Sequence, residues 1–192
     1  MSTAEPRIPP LPEAEWNELL SRLLAASPGG AEEPMHIFTT LAQQPELFRR
    51  WLGFGAALLG GQLPGRLREL VILRTAFRFN APYEWAHHIQ LGADQGITPE
   101  ELDALGGDLS QVEWDPFERA ALDAVDQTAD QGAVGDDVWN CLAERLESGA
   151  LVELVMLIGH YLMLSTVLRS LRVPLEPSAT EEAEQVSGGP GR

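Results

Sequence analysis

The segment RELVILRTAFRFNAPYEWAHHIQLGADQGITPEEL, residues 68–102, contains the signals of two consecutive helices. Its first half is apolar on nearly every helical face, which predicts a helix at the centre of the domain. A second helix follows, with Asn80 or Ala81 as its cap, Pro82 in its first turn and Gly96 at its end. Within this second helix, the sequence YEWAHH places one carboxylate and two imidazoles among apolar residues. These polar residues therefore form a candidate site.

Helical spacing sorts these polar residues into two pairs. Glu84 and His88 are four residues apart, so they lie on one face within reach of each other. Tyr83 and His87 form a second pair, rotated by about 100° around the helix. A glutamate in the first turn is also favoured by the helix dipole. Taken alone, a Glu–His pair at this spacing is more often solvated than catalytic.

Composition restricts the class of protein. A chain of 192 residues is long enough for one domain with one core. It is 44% hydrophobic and 22% charged, which is typical of a soluble globular protein. The net charge of −16 predicts a strongly acidic surface, and this disfavours nucleic acid and anionic membranes as partners.

Several chemistries are excluded by the residues that the chain lacks. There is no lysine, so Schiff-base catalysis and covalently bound pyridoxal phosphate are excluded. Cys141 is the single cysteine, so an internal disulfide and a vicinal dithiol are impossible, and we interpret it as a small buried residue. There is no glycine-rich phosphate loop after a strand, and we expect no cofactor. The first residues lack the pattern of a signal peptide, which favours a cytoplasmic location.

Helix signals recur along the whole chain, and no hairpin signal interrupts them. The sequence predicts an all-α, single-domain bundle of eight or nine helices. Capping signals place helix starts at Thr98 and at Asp115, each followed by proline and then by glutamate in the third position. Further helices are predicted over approximately residues 12–26, 35–43, 45–59, 136–147 and 150–171. The domain should span residues 11–177, between a flexible segment 1–10 and a disordered tail 178–192.

The last predicted helix bears on both membrane insertion and assembly. Its apolar run is interrupted by Glu153 and His160, which fits a buried helix of a soluble protein better than a membrane span. Because it is apolar on most faces, it also needs more cover than one small core provides. We therefore expect a homo-oligomer.

The segment LRELVILRTAFRFNAPYEWAHHIQLGADQGITPEELDAL resembles the signature of the carboxymuconolactone decarboxylase / alkylhydroperoxidase D superfamily. The flanking sequences FTTLAQQPELFRRWLGFGAALL and LVELVMLIGHYLMLSTVLRSLRVPLEP are also similar to the longer members, so the resemblance covers residues 11–177. It implies an alkylhydroperoxidase D-like helical fold. It also implies assembly as a trimer or a multiple of a trimer, with a dimer as the alternative.

The resemblance departs from the peroxidase branch at its cysteines. That branch has a glutamate, eleven residues, and then Cys-x-x-Cys-x-x-x-His. Counted from Glu69, these positions fall on Ala81, Glu84 and His88. The glutamate and the histidine match, whereas both cysteines are missing, so thiol peroxidase activity is not expected. The decarboxylase branch has a glutamate and a histidine at the places of Glu84 and His88.

These residues predict proton transfer without a cofactor on a small molecule that contains its own electron sink, such as a carbonyl, a lactone or a polyketide-like compound. His88 would move the proton with Glu84 as its partner, and the resemblance implies that Glu69 orients or recharges His88. The competing interpretation of Glu69 is a surface carboxylate or a salt bridge to Arg66 or Arg68.

Four further side chains are expected to contact substrate: Arg74, Tyr83, His87 and His160. Arg74 would bind an acidic group, although a buried structural ion pair is an equal alternative. His160 would line the pocket, although a hydrogen-bonded core histidine is the commoner outcome.

Two other classes of function remain open. Helical bundles hold two metal ions with paired Glu-x-x-His motifs, and the chain has one such motif, at Glu84 and His87. A single zinc held by Glu84, His88 and another histidine is geometrically possible, but we expect no metal. The other alternative is a non-enzymatic, oligomeric binding protein that kept the fold.

Overall fold

The computed structural model describes residues 5–30, 32–177 and 179, and all regular structure among them is helical. This part of the chain contains two 3₁₀ turns, at Glu13–Glu15 and Leu109–Gln111, and nine α-helices. The α-helices are α1 (Glu18–Ala25), α2 (His36–Leu41), α3 (Pro45–Leu59), α4 (Gly65–Arg78), α5 (Pro82–Asp94), α6 (Pro99–Leu105), α7 (Pro116–Gln131), α8 (Asp136–Ala143) and α9 (Ser148–Leu171). The predicted all-α fold with eight or nine helices is confirmed over the described residues.

Helix α4 is the centre of the domain, as its apolar faces predict. It packs against α5, α6, α7 and α9. Its residues from Leu70 to Leu73 are fully buried, and they divide between two apolar clusters on opposite sides of the helix. Because α4 is covered on all sides, a polar side chain on its inner turns must find a partner inside the protein.

The turn after α4 determines which residues of α5 meet α4. Asn80 has a φ of 52°, a left-handed conformation that asparagine tolerates better than most residues. The amide of Ala81 then bonds the carbonyl of Ala76 at 2.8 Å, and Ala81 is the N-cap of α5. This tight reversal folds α5 back along α4.

The two predicted caps are formed differently. Thr98 and Glu101 make the reciprocal capping box that the sequence predicts at the start of α6. Asp115 caps α7 by accepting from the amide of Phe117. Glu118 does not complete a box there, because it binds Arg66 of α4 instead.

The helix predicted over residues 12–26 is present but begins later, at Glu18, because the chain bends before Asn17. The side chain of Asn17 accepts from the amide of Leu20, which starts α1 at Glu18. The indole of Trp16 donates to the carbonyl of Leu11, and this bond fixes the bend. Helix α8 also ends earlier than predicted, at Ala143, and α9 begins at Ser148.

Helices α3 and α9 lie antiparallel. The carboxylate of Glu153 accepts from the backbone amides of Gln62 and Leu63 just beyond the end of α3, and His160 lies beside Gly55. By length and composition α9 could cross a membrane, but half of its most apolar stretch is buried inside the protein. One such helix is weak evidence for a membrane protein, because core helices share these properties.

Both ends of the described chain contact the domain. Arg7 bonds the carbonyls of Leu171 and Ser170 at the end of α9, and Leu11 donates to Thr39. The part of segment 1–10 that we expected to be flexible is therefore held at Arg7. Residue 178 and residues 180–192 lie outside the described residues, so the disordered tail stays a prediction.

Candidate functional site

The first element of the site is a buried bond between α4 and α5. Oε2 of Glu69 lies 2.7 Å from Nδ1 of His88, and Oε1 accepts from Nε of Arg68 at 3.2 Å. Glu69 is 3% exposed and His88 is 7% exposed. A carboxylate with a cation at one oxygen and an imidazole at the other fixes the ring orientation and favours a proton on Nδ1.

The other ring nitrogen of His88 faces a residue that we did not predict. The hydroxyl of Tyr161, on α9, lies 3.1 Å from Nε2, and the two rings meet edge to face at 5.3 Å. Burial, reinforced by the charges of Glu84 and Glu69, raises the pKa of Tyr161 well above its ordinary value. Its hydroxyl therefore keeps its proton and can donate it to Nε2.

Glu84 lies beside this chain of hydrogen bonds. Its Oε2 is 3.7 Å from Nε2 of His88, which is longer than a hydrogen bond. Burial raises the pKa of Glu84, although His88 and His87 act in the opposite direction. Its Oε1 is buried and has no hydrogen-bond partner among the described residues. Glu84 is near His88 as predicted, but Glu69 and Tyr161 make the hydrogen bonds to the ring.

His160 lies in an aromatic wall next to Tyr161. Its ring stacks on Trp51 with the centroids 6.0 Å apart, and it meets Phe54 and Tyr161 edge to face. Burial lowers the pKa of His160 to about 4, so the ring is neutral at neutral pH. Within the described chain, its Nδ1 is buried without a hydrogen-bond partner. His160 is therefore a buried core histidine, but the hydrogen bond expected for such a residue is not made by its Nδ1 to any described residue.

His87 and Tyr83 belong to a separate cluster around Glu176. Nε2 of His87 lies 2.8 Å from Oε2 of Glu176, while the hydroxyl of Tyr83 and the amide of His36 donate to Oε1 at 2.7 Å and 2.5 Å. Burial opposes ionisation of both partners. The hydrogen bonds outweigh it, so the pKa of Glu176 falls to about 2 and that of His87 rises. These contacts fasten the segment after α9 to α2 and α5.

A cavity of about 870 Å³ opens beside this second cluster, with His36, His87 and Glu176 in its lining. Glu69, Glu84 and His88 do not line it. The two helical faces of α5 thus have different environments: one is enclosed against α4 and α9, and the other borders an open cavity.

Arg74 does not join either cluster, and its predicted role in binding substrate is not supported. Its Nε and one terminal nitrogen bind both carboxylate oxygens of Asp126 at 2.8 Å and 2.7 Å, and the other terminal nitrogen donates to the carbonyls of Leu105 and Gly107. This is the buried structural ion pair that the sequence left as the alternative. Its cause is the burial of α4, which requires partners for a guanidinium.

The remaining residues with possible metal-binding or thiol chemistry lie apart from this site. No group of three or more histidine, cysteine, aspartate or glutamate side chains suited to a metal ion occurs in the described residues. Cys141 lies on α8, where its thiol approaches the carbonyl of Pro116 at 3.8 Å.

Comparison with known proteins supports the resemblance. Residues 45–127 match the profile of the carboxymuconolactone decarboxylase family. The structure is similar to the alkylhydroperoxidase AhpD core of an uncharacterized peroxidase-related protein from Ralstonia eutropha JMP134, with 18% identity, a TM-score of 0.79 and coverage of 92% of this chain and 96% of the other. No curated protein matches the chain.

Two further solved structures share the fold. An uncharacterized peroxidase-related protein from Silicibacter sp. TM1040 has 11% identity and a TM-score of 0.76, and 93% of this chain covers 97% of it. The debrominase Bmp8 has 15% identity and a TM-score of 0.72, and 93% of this chain covers 96% of it. A cysteine-to-alanine variant of the same debrominase was solved in complex with 2,3,4-tribromopyrrole.

The fold and the matched segment define an all-helical protein of the alkylhydroperoxidase D-like type. The similarity to the carboxymuconolactone decarboxylase family is carried by residues 45–127, and the fold is shared with alkylhydroperoxidase D-like proteins. The matched segment contains Glu69, Glu84 and His88, whereas Tyr161 lies outside it.

Proposed function

We propose that this protein is a cofactor-independent acid/base enzyme that decarboxylates or isomerises a small carbonyl, lactone or polyketide-like substrate. The observation that carries the proposal is the buried chain of hydrogen bonds from Glu69 through His88 to Tyr161, next to Glu84, whose Oε1 has no partner among the described residues. Buried polar groups are normally satisfied, so an orphaned carboxyl oxygen beside an imidazole indicates a place where substrate binds.

The geometry suggests a distinct task for each group. Glu69 holds Nδ1 of His88, so that Nε2 is the nitrogen that exchanges protons. Tyr161 supplies the proton donor at Nε2. Burial raises the pKa of Glu84, and in its protonated form this carboxyl group can donate its proton to a substrate oxygen.

Both reactions proceed with these groups alone. In decarboxylation, the C–C bond to the carboxylate breaks, its electron pair moves into the adjacent carbonyl as an enolate, and an enzyme acid protonates the carbon. In isomerisation, His88 removes a proton next to the carbonyl and returns it at a conjugated position. Positioned groups of this type typically contribute about 10²–10⁴-fold to rate.

The similarity to a debrominase supports an enzymatic role for this fold. Cys141, however, lies on α8, where its thiol approaches the carbonyl of Pro116 and not the proposed relay of Glu69, His88 and Tyr161. Halogen removal by a cysteine therefore has no support in the site. The alternative function is a non-redox binding protein that kept the fold, and the activity measurement below distinguishes it from an enzyme.

We also propose a homo-oligomer, a trimer or a multiple of one, with a dimer as the alternative. Phe54, Leu59, Val152, Val155 and Met156 are exposed on the adjoining faces of α3 and α9. On a chain with a net charge of −16, an apolar strip is the surface on which two copies meet with least repulsion.

The proposal is tested by incubating the protein in D₂O with a panel of β-keto acids and conjugated lactones and following deuterium incorporation and CO₂ release by NMR. We expect turnover after treatment with a metal chelator, unchanged in Cys141→Ser and lost in His88→Gln. We expect no reduction of alkyl hydroperoxides with dithiol donors. Saturable binding of these compounds with no turnover would favour the binding protein instead.

A further inference from the structure

A second cavity, of about 370 Å³, lies between α2, the first half of α3 and the second half of α9. Its walls are mainly apolar, with Leu47 and Phe48 on one side and Leu164, Val167 and Leu171 on the other. No charged side chain is among its described lining residues, and neither His88 nor Tyr161 lines it. It is therefore distinct from the acid/base cluster and from the cavity beside His87.

Two polar side chains in this wall have no hydrogen-bond partner among the residues that the structure describes. Thr40 is 2% exposed, and its hydroxyl has no hydrogen bond to any described residue. Its neighbour Thr39 shows the usual solution, because its hydroxyl donates to the backbone carbonyls of Met35 and His36. The indole nitrogen of Trp51 is likewise buried and unpartnered within the described chain.

The other polar residues of the lining are already engaged. Gln44 caps α3 by accepting from the amide of Leu47, and Gln43 donates to the carbonyl of Pro9. Thr40 and Trp51 are thus the side chains that retain hydrogen-bonding capacity in an apolar wall. Pockets for small molecules combine apolar walls with a few polar groups in this way, in a similar range of volume.

We propose that this cavity binds a small, neutral, mainly apolar molecule with one hydrogen-bond acceptor, such as a ketone, ester or lactone carbonyl. The acceptor is assigned because an indole N–H can only donate and a hydroxyl can also donate. Neutrality is assigned because a buried charge needs a partner, and the lining offers none. This site is independent of the proposed acid/base function, since it shares no residue with the relay.

The proposal is tested with γ-decalactone as the probe, and with decanoate and butylcyclohexane as charged and purely apolar comparisons. The readout is the Trp51 indole cross-peak in an ¹⁵N–¹H spectrum, assigned with Trp51→Phe. We expect a saturable shift with the lactone, at least about threefold weaker binding of the hydrocarbon, and no shift with decanoate. Equal binding of decanoate, or no shift with the lactone, overturns the proposal.

Two matched variants test the hydroxyl itself. Thr40→Val preserves the shape and removes an unpaired polar group, so we expect lactone binding to weaken about threefold to tenfold while the melting temperature of the free protein rises. Thr39→Val removes a bonded hydroxyl outside the cavity, so it should lower the melting temperature and leave binding unchanged. Unchanged binding in Thr40→Val overturns the proposal. The proposal is also overturned if the indole cross-peak shifts with protein concentration in the absence of lactone, because a second copy of the chain then fills the cavity.

Discussion

Oε2 of Glu69 lies 2.7 Å from Nδ1 of His88, although the two residues are 19 positions apart in the chain. The bond is made between two helices, α4 and α5, and both partners are buried. Since Tyr161 approaches the opposite ring nitrogen, His88 is held from both sides. A solvated pair within one helix would not have this geometry.

The first prediction concerns the relay between these two residues. Glu69→Gln and His88→Gln should each reduce kcat by about 10²-fold or more on the true substrate, because each removes one half of a proton-transfer unit. For the same reason the double mutant should be little worse than either single mutant. The measurement is kcat and KM for the three variants, with thermal melts to confirm folding.

His87→Gln is the internal control for this experiment. His87 adjoins His88 in sequence but binds Glu176. The substitution should therefore lower the free energy of unfolding and leave kcat close to the wild-type value. If His87 instead proves essential and His88 does not, the catalytic face of α5 is the one with Tyr83, beside the larger cavity.

The second prediction tests Tyr161 through a signal that needs no substrate. In Tyr161→Phe, Nε2 of His88 loses its hydrogen-bond donor, while Nδ1 keeps its hydrogen bond to Glu69. The ¹⁵N resonance of Nε2 should move towards that of an unbonded imidazole nitrogen, with Nδ1 nearly unchanged. We also expect kcat to fall about tenfold or more with little change in KM. An unchanged Nε2 resonance would contradict the contact.

The sequence could predict the contacts between residues of a single helix or turn. The box of Thr98 with Glu101 and the proximity of Glu84 to His88 follow from spacings of three and four residues. The resemblance supplied the pairing of Glu69 with His88, which periodicity alone does not give.

The contacts that were missed join distant helices. Arg74 meets Asp126 52 positions away, and Tyr161 meets His88 73 positions away. Helical periodicity assigns a residue to a face, but the partner depends on how helices pack, which one sequence does not specify. The one signal for Tyr161 was its place beside His160 in an otherwise apolar helix. Glu176, outside any helix, had no signal.

The third prediction concerns the stability cost of Glu84. Its pKa is raised in the folded protein above the ordinary value of 4.5, so folding is disfavoured as the pH rises from 4.5 towards the raised value. Glu84→Gln lacks this penalty. We expect the variant to have a higher free energy of unfolding than the wild type at pH 7 and a similar one at pH 4, measured by urea denaturation.

The same variant should lose activity by about 10²-fold, since an amide cannot supply the proton of a neutral carboxyl group. Greater stability with lower activity is the pattern expected where a functional site retains an unfavourable buried group. A Glu84→Gln protein that is less stable at pH 7 would indicate that the carboxylate is ionised and structural.

The fourth prediction addresses assembly. If the apolar strip on α3 and α9 joins copies of the chain, Val155→Glu should dissociate the oligomer, because a buried unpaired charge opposes association. Leu91→Glu is the matched control, since Leu91 is similarly exposed but lies on α5. The measurement is mass by light scattering at micromolar concentration. A wild-type monomer, or equal effects of the two variants, would argue against this interface.

The last prediction concerns the clasp that Glu176 makes with His87 and Tyr83. The folded-state pKa of Glu176, about 2, lies below its ordinary value of 4.5, so its contribution to stability is present above pH 4.5 and is lost as the pH falls towards 2. The pKa of His87 is raised above 6.5, so its contribution is present below pH 6.5 and is lost as the pH rises through the raised value. The clasp should therefore be strongest between about pH 4.5 and 6.5.

Glu176→Gln keeps an acceptor for Tyr83 but removes the charge that His87 binds, so it should lower the free energy of unfolding by about 1.5–3 kcal/mol at pH 6. The loss should shrink as the pH is lowered from 4.5, and it should be largely absent when His87→Gln is the background. Urea denaturation of the four proteins of this cycle gives the coupling directly. Glu46→Gln, which disrupts an exposed ion pair with Arg49 and Arg50, should have little effect. A Glu176→Gln effect that is independent of both pH and His87 would show that the segment after α9 is held by packing and not by this ion pair.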